Sequence, residues 1–236
     1  MKLLALDSSG LVASVAIVTE EVMLAEYTVN FKKTHSQTLL PMLEEVVKLT
    51  ELDLSQVDAI AVAAGPGSFT GLRIGSATAK GLGLALNKPL IAVPTLDGLA
   101  YNLYGSDKLI CPMMDARRNQ VYTGLYEFDR GELKVIKEQT ALAVEEILKE
   151  INLLGGEVIF LGDGAKTYRE IIEEQTEVRY EFAPMHLNRQ RAGAIGALGI
   201  IYYNNGRIQT AAEHEPVYLR LSQAERERAE RQNDLT

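Results

Sequence analysis

The run Ala63-Ala64-Gly65-Pro66-Gly67-Ser68-Phe69-Thr70-Gly71-Leu72-Arg73-Ile74-Gly75 decides how the rest of the chain is read. An apolar segment over 58–64 reads as a buried strand, the Gly-Pro-Gly triplet breaks it, and helical spacing resumes from 68 to 86. A glycine-rich turn leading into a helix can present backbone N–H groups to an anion. No Gly-Lys-Ser/Thr ends the run, so it is not a P-loop. Two readings stand: a phosphate cradle, or a tight structural turn with Ser68 or Thr70 capping the helix. Further along, Gly71, Gly75, Ala79 and Gly83 recur every four residues, giving the helix one smooth stripe. Each helical glycine costs about 1 kcal/mol relative to alanine. The stripe therefore calls for close approach of another backbone, either the chain's own sheet or a second subunit.

Outward from this turn, the same order of elements occurs twice. Residues 3–7, 11–19 and 21–30 read as an antiparallel meander with tight turns between them. A helix through about residue 50 follows, carrying Leu39, Leu43, Val46 and Val47, and then come the 58–64 strand, the glycine turn and the 68–86 helix. After a strand at 89–93 and a helix at 95–104, strands are expected at 109–115, 120–128 and 133–138. A helix over 143–151, a strand at 157–161, the turn Gly162-Asp163-Gly164 and a helix over 165–174 complete the second set. Asp115 answers Asp7 and the second glycine turn answers the first. This is a repeat of pattern rather than of residues. A duplicated βββαβα unit predicts an α/β protein of two similar lobes facing across a cleft. A small-residue helix through 203 follows, ended by Asn204-Asn205-Gly206, and the charged stretch from 223 reads as frayed helix or disorder.

Composition narrows the function. The chain has 236 residues, 47% of them apolar, enough for a substantial core. Its single cysteine, Cys111, has no partner for an internal disulfide and lies in an apolar run, which points to a reducing compartment and an inert thiol. The apolar stretch at residues 1–6 is too short for a signal-peptide core, and no run approaches the roughly 18 residues of a membrane span. A cytoplasmic protein is expected. Thirty-two acidic residues against 24 Lys and Arg leave a net charge of −8. Such a chain is repelled by a phosphate backbone, which argues against a stand-alone nucleic-acid binder.

Candidate chemistry is sparse. Asp7-Ser8-Ser9-Gly10 ends the first strand where a hairpin can hold phosphate or magnesium, and Asp115-Ala116-Arg117-Arg118 is its counterpart. Asp and Ser are also common turn formers. His35, His186 and His214 are scattered, His35 reading as a helix cap or surface group. No His-x3-His, His-Glu-x-x-His or Gly-x-Ser-x-Gly occurs.

The segment 65–75 resembles the signature of the bacterial TsaB (YeaZ) family of tRNA threonylcarbamoyladenosine biosynthesis proteins. The resemblance continues through Leu6-Asp7-Ser8-Ser9, His35-Ser36, Pro94-Thr95-Leu96-Asp97-Gly98, Met114-Asp115-Ala116-Arg117-Arg118, Val121-Tyr122 and Pro216-Val217-Tyr218-Leu219-Arg220. It implies a fold similar to actin, Hsp70 and sugar kinases, with lobes at 1–104 (partner-binding) and 105–222 and a tail at 223–236. It implies a role in placing threonylcarbamoyl on the adenosine 3′ of the anticodon. It also implies a catalytic paralogue, TsaD, whose metal is held by a His-x3-His motif. Thr95 and Leu99 stand at the matching positions here, and Leu99 has no donor atom. Arg117 stands where the superfamily has the glycine that lets nucleotide approach. The resemblance thus implies a non-catalytic scaffold without cofactor or metal, pairing with a TsaD-like paralogue and a TsaE-like ATPase. Alone it forms a homodimer, and it meets tRNA only through the complex. The expected partner interface is Phe69, Gly71, Leu72, Gly75, Ala79, Leu82 and Gly83. A vestigial nucleotide or phosphate cleft is expected at Asp7, Ser8, Ser9, Asp115, Arg117, Gly162 and Gly164. Two alternatives stay open: a stand-alone protease or kinase of this fold, and a direct tRNA-binding module.

Overall fold

Alternation along the first strand sets the layering of the first lobe. In the computed structural model, which describes residues 1–31 and 34–220, β1 (Lys2–Asp7) sends Leu4 and Leu6 to one face and Leu3 and Ala5 to the other. With both faces buried, the strand is apolar almost throughout. It pairs antiparallel with β2 (Ala13–Thr19), which pairs with β3 (Met23–Val29), and parallel with β4 (Ala59–Ala63), which pairs with β5 (Leu90–Val93). The sheet order is β3-β2-β1-β4-β5. Helices α1 (His35–Leu49) and α2 (Phe69–Leu86) cover one face.

The second lobe repeats the first. Strands β6 (Leu109–Arg117), β7 (Gln120–Asp129) and β8 (Glu132–Ala143) form the meander. Helix α4 (Val144–Leu154), β9 (Val158–Leu161), α5 (Asp163–Thr167), α6 (Arg169–Gln175) and β10 (Tyr180–Phe182) follow. The order β10-β9-β6-β7-β8 is the first sheet read from its other edge, with β6–β9 and β9–β10 parallel. This is the duplicated two-lobed architecture that the spacing of strands and glycine turns leads one to expect. Helix α4 buries Val144, Ile147, Leu148 and Ile151 on this sheet. Helix α3 (Thr95–Tyr101), on the connection between lobes, covers the opposite face.

Several elements differ from the sequence reading. The helix expected over 165–174 is two short helices separated by Tyr168 (φ −106°, ψ 25°). That break lets the Tyr168 hydroxyl reach Asp115 Oδ1 at 3.1 Å while its ring joins the core. Strand β8 runs on to residue 143, past the expected end at 138; five of its twelve residues are exposed and none is buried, which blurs its apolar alternation. Strand β10, three residues long, is too short to carry a period. The small-residue helix, α7 (Ala192–Asn204), follows the second lobe in sequence but lies on the free face of the first sheet. A Cβ at Gly196 would sit 2.7 Å from Val18 and 3.3 Å from Ala5, so glycine there allows the helix to seat. Chain order and packing part company at this helix, since a boundary at 104 assigns it to the second lobe. The tail expected at 223–236 lies outside the described residues.

Candidate functional site

Between the lobes lies a cleft of about 680 Å³, lined by Ser9, Gly10, His35 and the 67–70 turn on one side. Asp115, Arg117, Tyr122 and Asp163 line the other side, and Tyr218 and Arg220 lie at its mouth. The groups expected to hold phosphate on the first-lobe side are already bonded. Asp7 is 1% exposed, and its Oδ1 accepts from Ser9 N at 2.9 Å and Ser9 Oγ at 2.6 Å. Burial pushes its carboxyl up to about 6, opposed by the Ser9 hydrogen bonds and the nearby His35. Ser8 Oγ donates to Gly71 O at 2.8 Å, and Ser9 O accepts from Ser68 N at 2.6 Å. Asp7 and Ser8 thus lie beneath the cleft wall, and of this trio Ser9 lines it.

The second-lobe side is built the same way. Asp115 Oδ1 accepts from Arg117 N at 2.7 Å as well as from Tyr168. Arg117 is exposed, with φ +64°. Gly162 (φ +100°) has no room for a Cβ, because Met113 O occupies that place, and Gly164 is pressed on Met113 as well. The second glycine turn therefore serves close packing on β6. The first serves close packing on the turn between β1 and β2, where a Cβ at Gly67 would strike Ser9 O. Residues 65–67 form a tight turn, with Ser68 Oγ accepting from Gly71 N at 3.3 Å as the cap of α2. Gly162 and Gly164 back the cleft, and Asp163 between them faces it.

Asp163 and His35 carry the cleft's unspent polar atoms. Burial raises the Asp163 carboxyl, with Arg189 opposing, and its Oδ1 has no partner among the described residues. His35 donates from Nε2 to Gly10 O at 2.8 Å and leaves Nδ1 unpartnered among them. His35 is the first residue of α1, not a residue ahead of it. Neither group was assigned to the cleft from sequence. The signal for Asp163 was its place inside the glycine turn, where spacing drew attention to its neighbours.

No ligand set assembles where a metal is held by the paralogue that the resemblance implies. Thr95 Oγ1 accepts from Gly65 N at 3.1 Å, and Leu99 is buried in core. Asp97, one turn away and 8% exposed, accepts from Tyr126 at 3.0 Å and from Tyr202 at 2.9 Å. Tyr126 lies on β7 and Tyr202 on α7, so Asp97 ties the second sheet to the helix that packs on the first. Burial pushes the Cys111 thiol up to about 12, an inert group. Among the described residues no helix is long and apolar enough to cross a membrane.

The stripe on α2 requires a correction. Gly71, Leu72, Gly75, Ala79 and Gly83 are all buried within the chain. A Cβ on Gly71 would collide with Ser8 O, one on Gly75 would lie 2.5 Å from Ser8 Oγ, and one on Gly83 2.9 Å from Leu90. The close approach that these glycines permit is to the chain's own β1 hairpin and β5. Phe69 is half-buried between Tyr218, 4.8 Å away, and the Arg73 guanidinium at 4.0 Å, and Leu82 is half-buried against the first core. The surface that α2 offers outward is Thr70, Arg73, Ala77, Gly81, Leu84 and Ala85. Leu84 is 73% exposed, and a Cβ on Gly81 would touch nothing.

Comparison with known proteins places this geometry. Residues 23–228 match the family model described as TsaD, tRNA N6-adenosine threonylcarbamoyltransferase. The tRNA threonylcarbamoyladenosine biosynthesis protein TsaB of Bacillus subtilis is 34% identical over 95% of this chain and 96% of its own length. The Escherichia coli protein of the same name is 29% identical over 93% and 95%. The solved structure of YeaZ from Pseudomonas aeruginosa superposes with a TM-score of 0.80 at 30% identity, covering 92% of this chain and 99% of that one.

Proposed function

The chain belongs to the TsaB family of tRNA threonylcarbamoyladenosine biosynthesis proteins, and from that premise we propose that it serves tRNA modification as a non-catalytic, cytoplasmic subunit. The observation that carries this reading is that the serine, threonine and cysteine side chains in and behind the cleft are bonded within the chain or sealed in core, Asp163 Oδ1 and His35 Nδ1 being the buried polar atoms of its lining left unpaired. The Ser8 and Ser9 hydroxyls donate within the chain, Thr95 accepts from a backbone amide, and Leu99 and Cys111 are sealed in core. A nucleophile needs a base and a free approach, and a metal needs donors. These residues supply neither. What is left to work with is surface.

The partner is a TsaD-like paralogue, with a TsaE-like ATPase joining the pair, a second copy of this chain taking the same face when the paralogue is absent, and tRNA met through the assembly. The contact is the outward face of α2: Thr70, Arg73, Ala77, Gly81 and Leu84, flanked by Phe69 and Leu82. A low-relief helix face of Ala77, Gly81 and one large leucine, with Thr70 and Arg73 at its N-terminal end, suits helix-on-helix packing. Division of labour between lobes follows from this placement, the first lobe docking and the second, over 105–191, facing it across the cleft.

The decisive experiment reconstitutes threonylcarbamoylation from the paralogue, the ATPase, threonylcarbamoyl-adenylate and tRNA, with and without this chain. The chain is expected to be required in the mixture and inert alone. Sustained peptide or ATP turnover by the pure chain would overturn the reading. In the same assay Gly81→Arg should weaken co-elution with the paralogue by about tenfold or more, as a buried mismatch at an interface does, with circular dichroism unchanged. Undiminished co-elution would move the contact elsewhere.

A further inference from the structure

One motif singled out in the sequence has no part in the proposed docking, the stretch Pro216-Val217-Tyr218-Leu219-Arg220. In the structure it runs over the mouth of the cleft and touches both lobes. The approach to it is anchored on the first lobe, where Gln209 and Leu90 exchange backbone hydrogen bonds at 2.8 and 3.0 Å and Lys80 Nζ donates to His214 O at 2.9 Å. Val217 N then donates to Ala64 O at 2.7 Å, and Val217 O fills the space over Gly65 that a side chain would need. Tyr218 stacks on Phe69. Two residues later the chain has crossed, and Arg220 Nη1 donates to Ala116 O at 2.5 Å near the end of β6.

We propose that residues 216–220 form a latch that holds the two lobes closed over the cleft. A second tie between the lobes, away from the cleft lining, serves as the hinge, where Asp97 joins Tyr126 of the second sheet to Tyr202 of α7, which packs on the first. A two-lobed molecule tied at one edge opens at the other unless something spans it. Among the described residues Arg220 makes a charge-assisted bond directly across that open edge. The latch covers a cleft whose walls keep two buried polar atoms unpaired, Asp163 Oδ1 and His35 Nδ1, so release of the latch governs access to them. Tyr218 also packs on Phe69, at the first turn of α2, so the latch ends beside the proposed docking face without depending on it.

The test measures lobe separation in the full-length chain. Spin labels at Gln37→Cys on α1 and Lys166→Cys on α5 sit on exposed positions of opposite lobes, and buried Cys111 stays unlabelled. Pulsed EPR should give one narrow distance distribution. Tyr218→Ala combined with Arg220→Ala should broaden it and shift its mean by several ångströms, while Tyr218→Phe, which keeps the stacking ring, should leave it narrow. Arg220→Ala alone removes the cross-lobe bond with the first-lobe packing intact, and should broaden the distribution even if the double variant proves too unstable to label. Hydrogen exchange at the Val217 amide, bonded to the first lobe, should rise about tenfold in the double variant. An unchanged distance distribution in folded Arg220→Ala would overturn the latch.

Discussion

Replacing Asp7 by Asn isolates a cost that the fold carries at its first strand. The carboxyl is buried, and its pKa stands at about 6 against an ordinary 3.8. A carboxyl raised in the folded state is harder to ionise there than in the unfolded chain. Between those two values the unfolded state gives up its proton first, so this group's contribution to stability falls as pH rises. The full penalty, present above about pH 7, is the 2.2-unit difference at 1.36 kcal/mol per unit, or about 3 kcal/mol. About 1 kcal/mol of it is already present near pH 4.5, which leaves about 2 kcal/mol to appear between there and about pH 7.5. Asn does not ionise, and its Oδ1 still accepts from Ser9 N and Ser9 Oγ. Its added N–H donors carry a fixed cost that does not change with pH. The assay is urea unfolding of both proteins at the two pH values. The stability of Asp7→Asn relative to the parent should improve by about 2 kcal/mol on going to the higher pH. If the two proteins respond to pH in parallel, the carboxylate is better solvated than its burial implies and the reasoning fails.

Two further outcomes follow from packing and from the hinge. Gly75→Leu should destabilise the first lobe by about 1–3 kcal/mol or more through overpacking, because even a Cβ falls 2.5 Å from Ser8 Oγ. Its urea midpoint should drop, and lost co-elution in that variant would report unfolding rather than a lost contact. Asp97→Ala strands two buried tyrosine hydroxyls at about 1–3 kcal/mol each, so its melting temperature should fall well below that of the triple variant Asp97→Leu/Tyr126→Phe/Tyr202→Phe. Equal melting temperatures would mean that the hydroxyls find other partners.

The architecture was legible because it is written in local rules. The apolar run at 3–7, helical spacing at 39–47 and the glycine breaks at 65–67 and 162–164 each declare an element or its end. The order of those elements recurs, so the duplication could be seen without residue identity between the halves. The candidate site was legible in part. Ser9, Asp115 and Arg117 line the cleft, while Asp7 and Ser8 lie behind its wall. His35 and Asp163 enter it from elements whose cleft-facing sides no local pattern marks.

Spacing of four along α2 established from sequence that the helix has one smooth face needing a close neighbour. It could not say which neighbour, since a periodicity defines a direction around an axis and not what lies along it. The tertiary structure decided that, turning Gly71 and Gly75 onto Ser8 and leaving Ala77, Gly81 and Leu84 outside. The same holds for α7, whose small residues announced tight packing but whose place on the first sheet depends on the chain crossing back between lobes. Composition and order along the chain thus determined the kinds of element and their repetition. Which surfaces are spent internally, and which remain for a partner, depends on contacts between residues far apart in sequence, and those exist only once the chain has closed on itself.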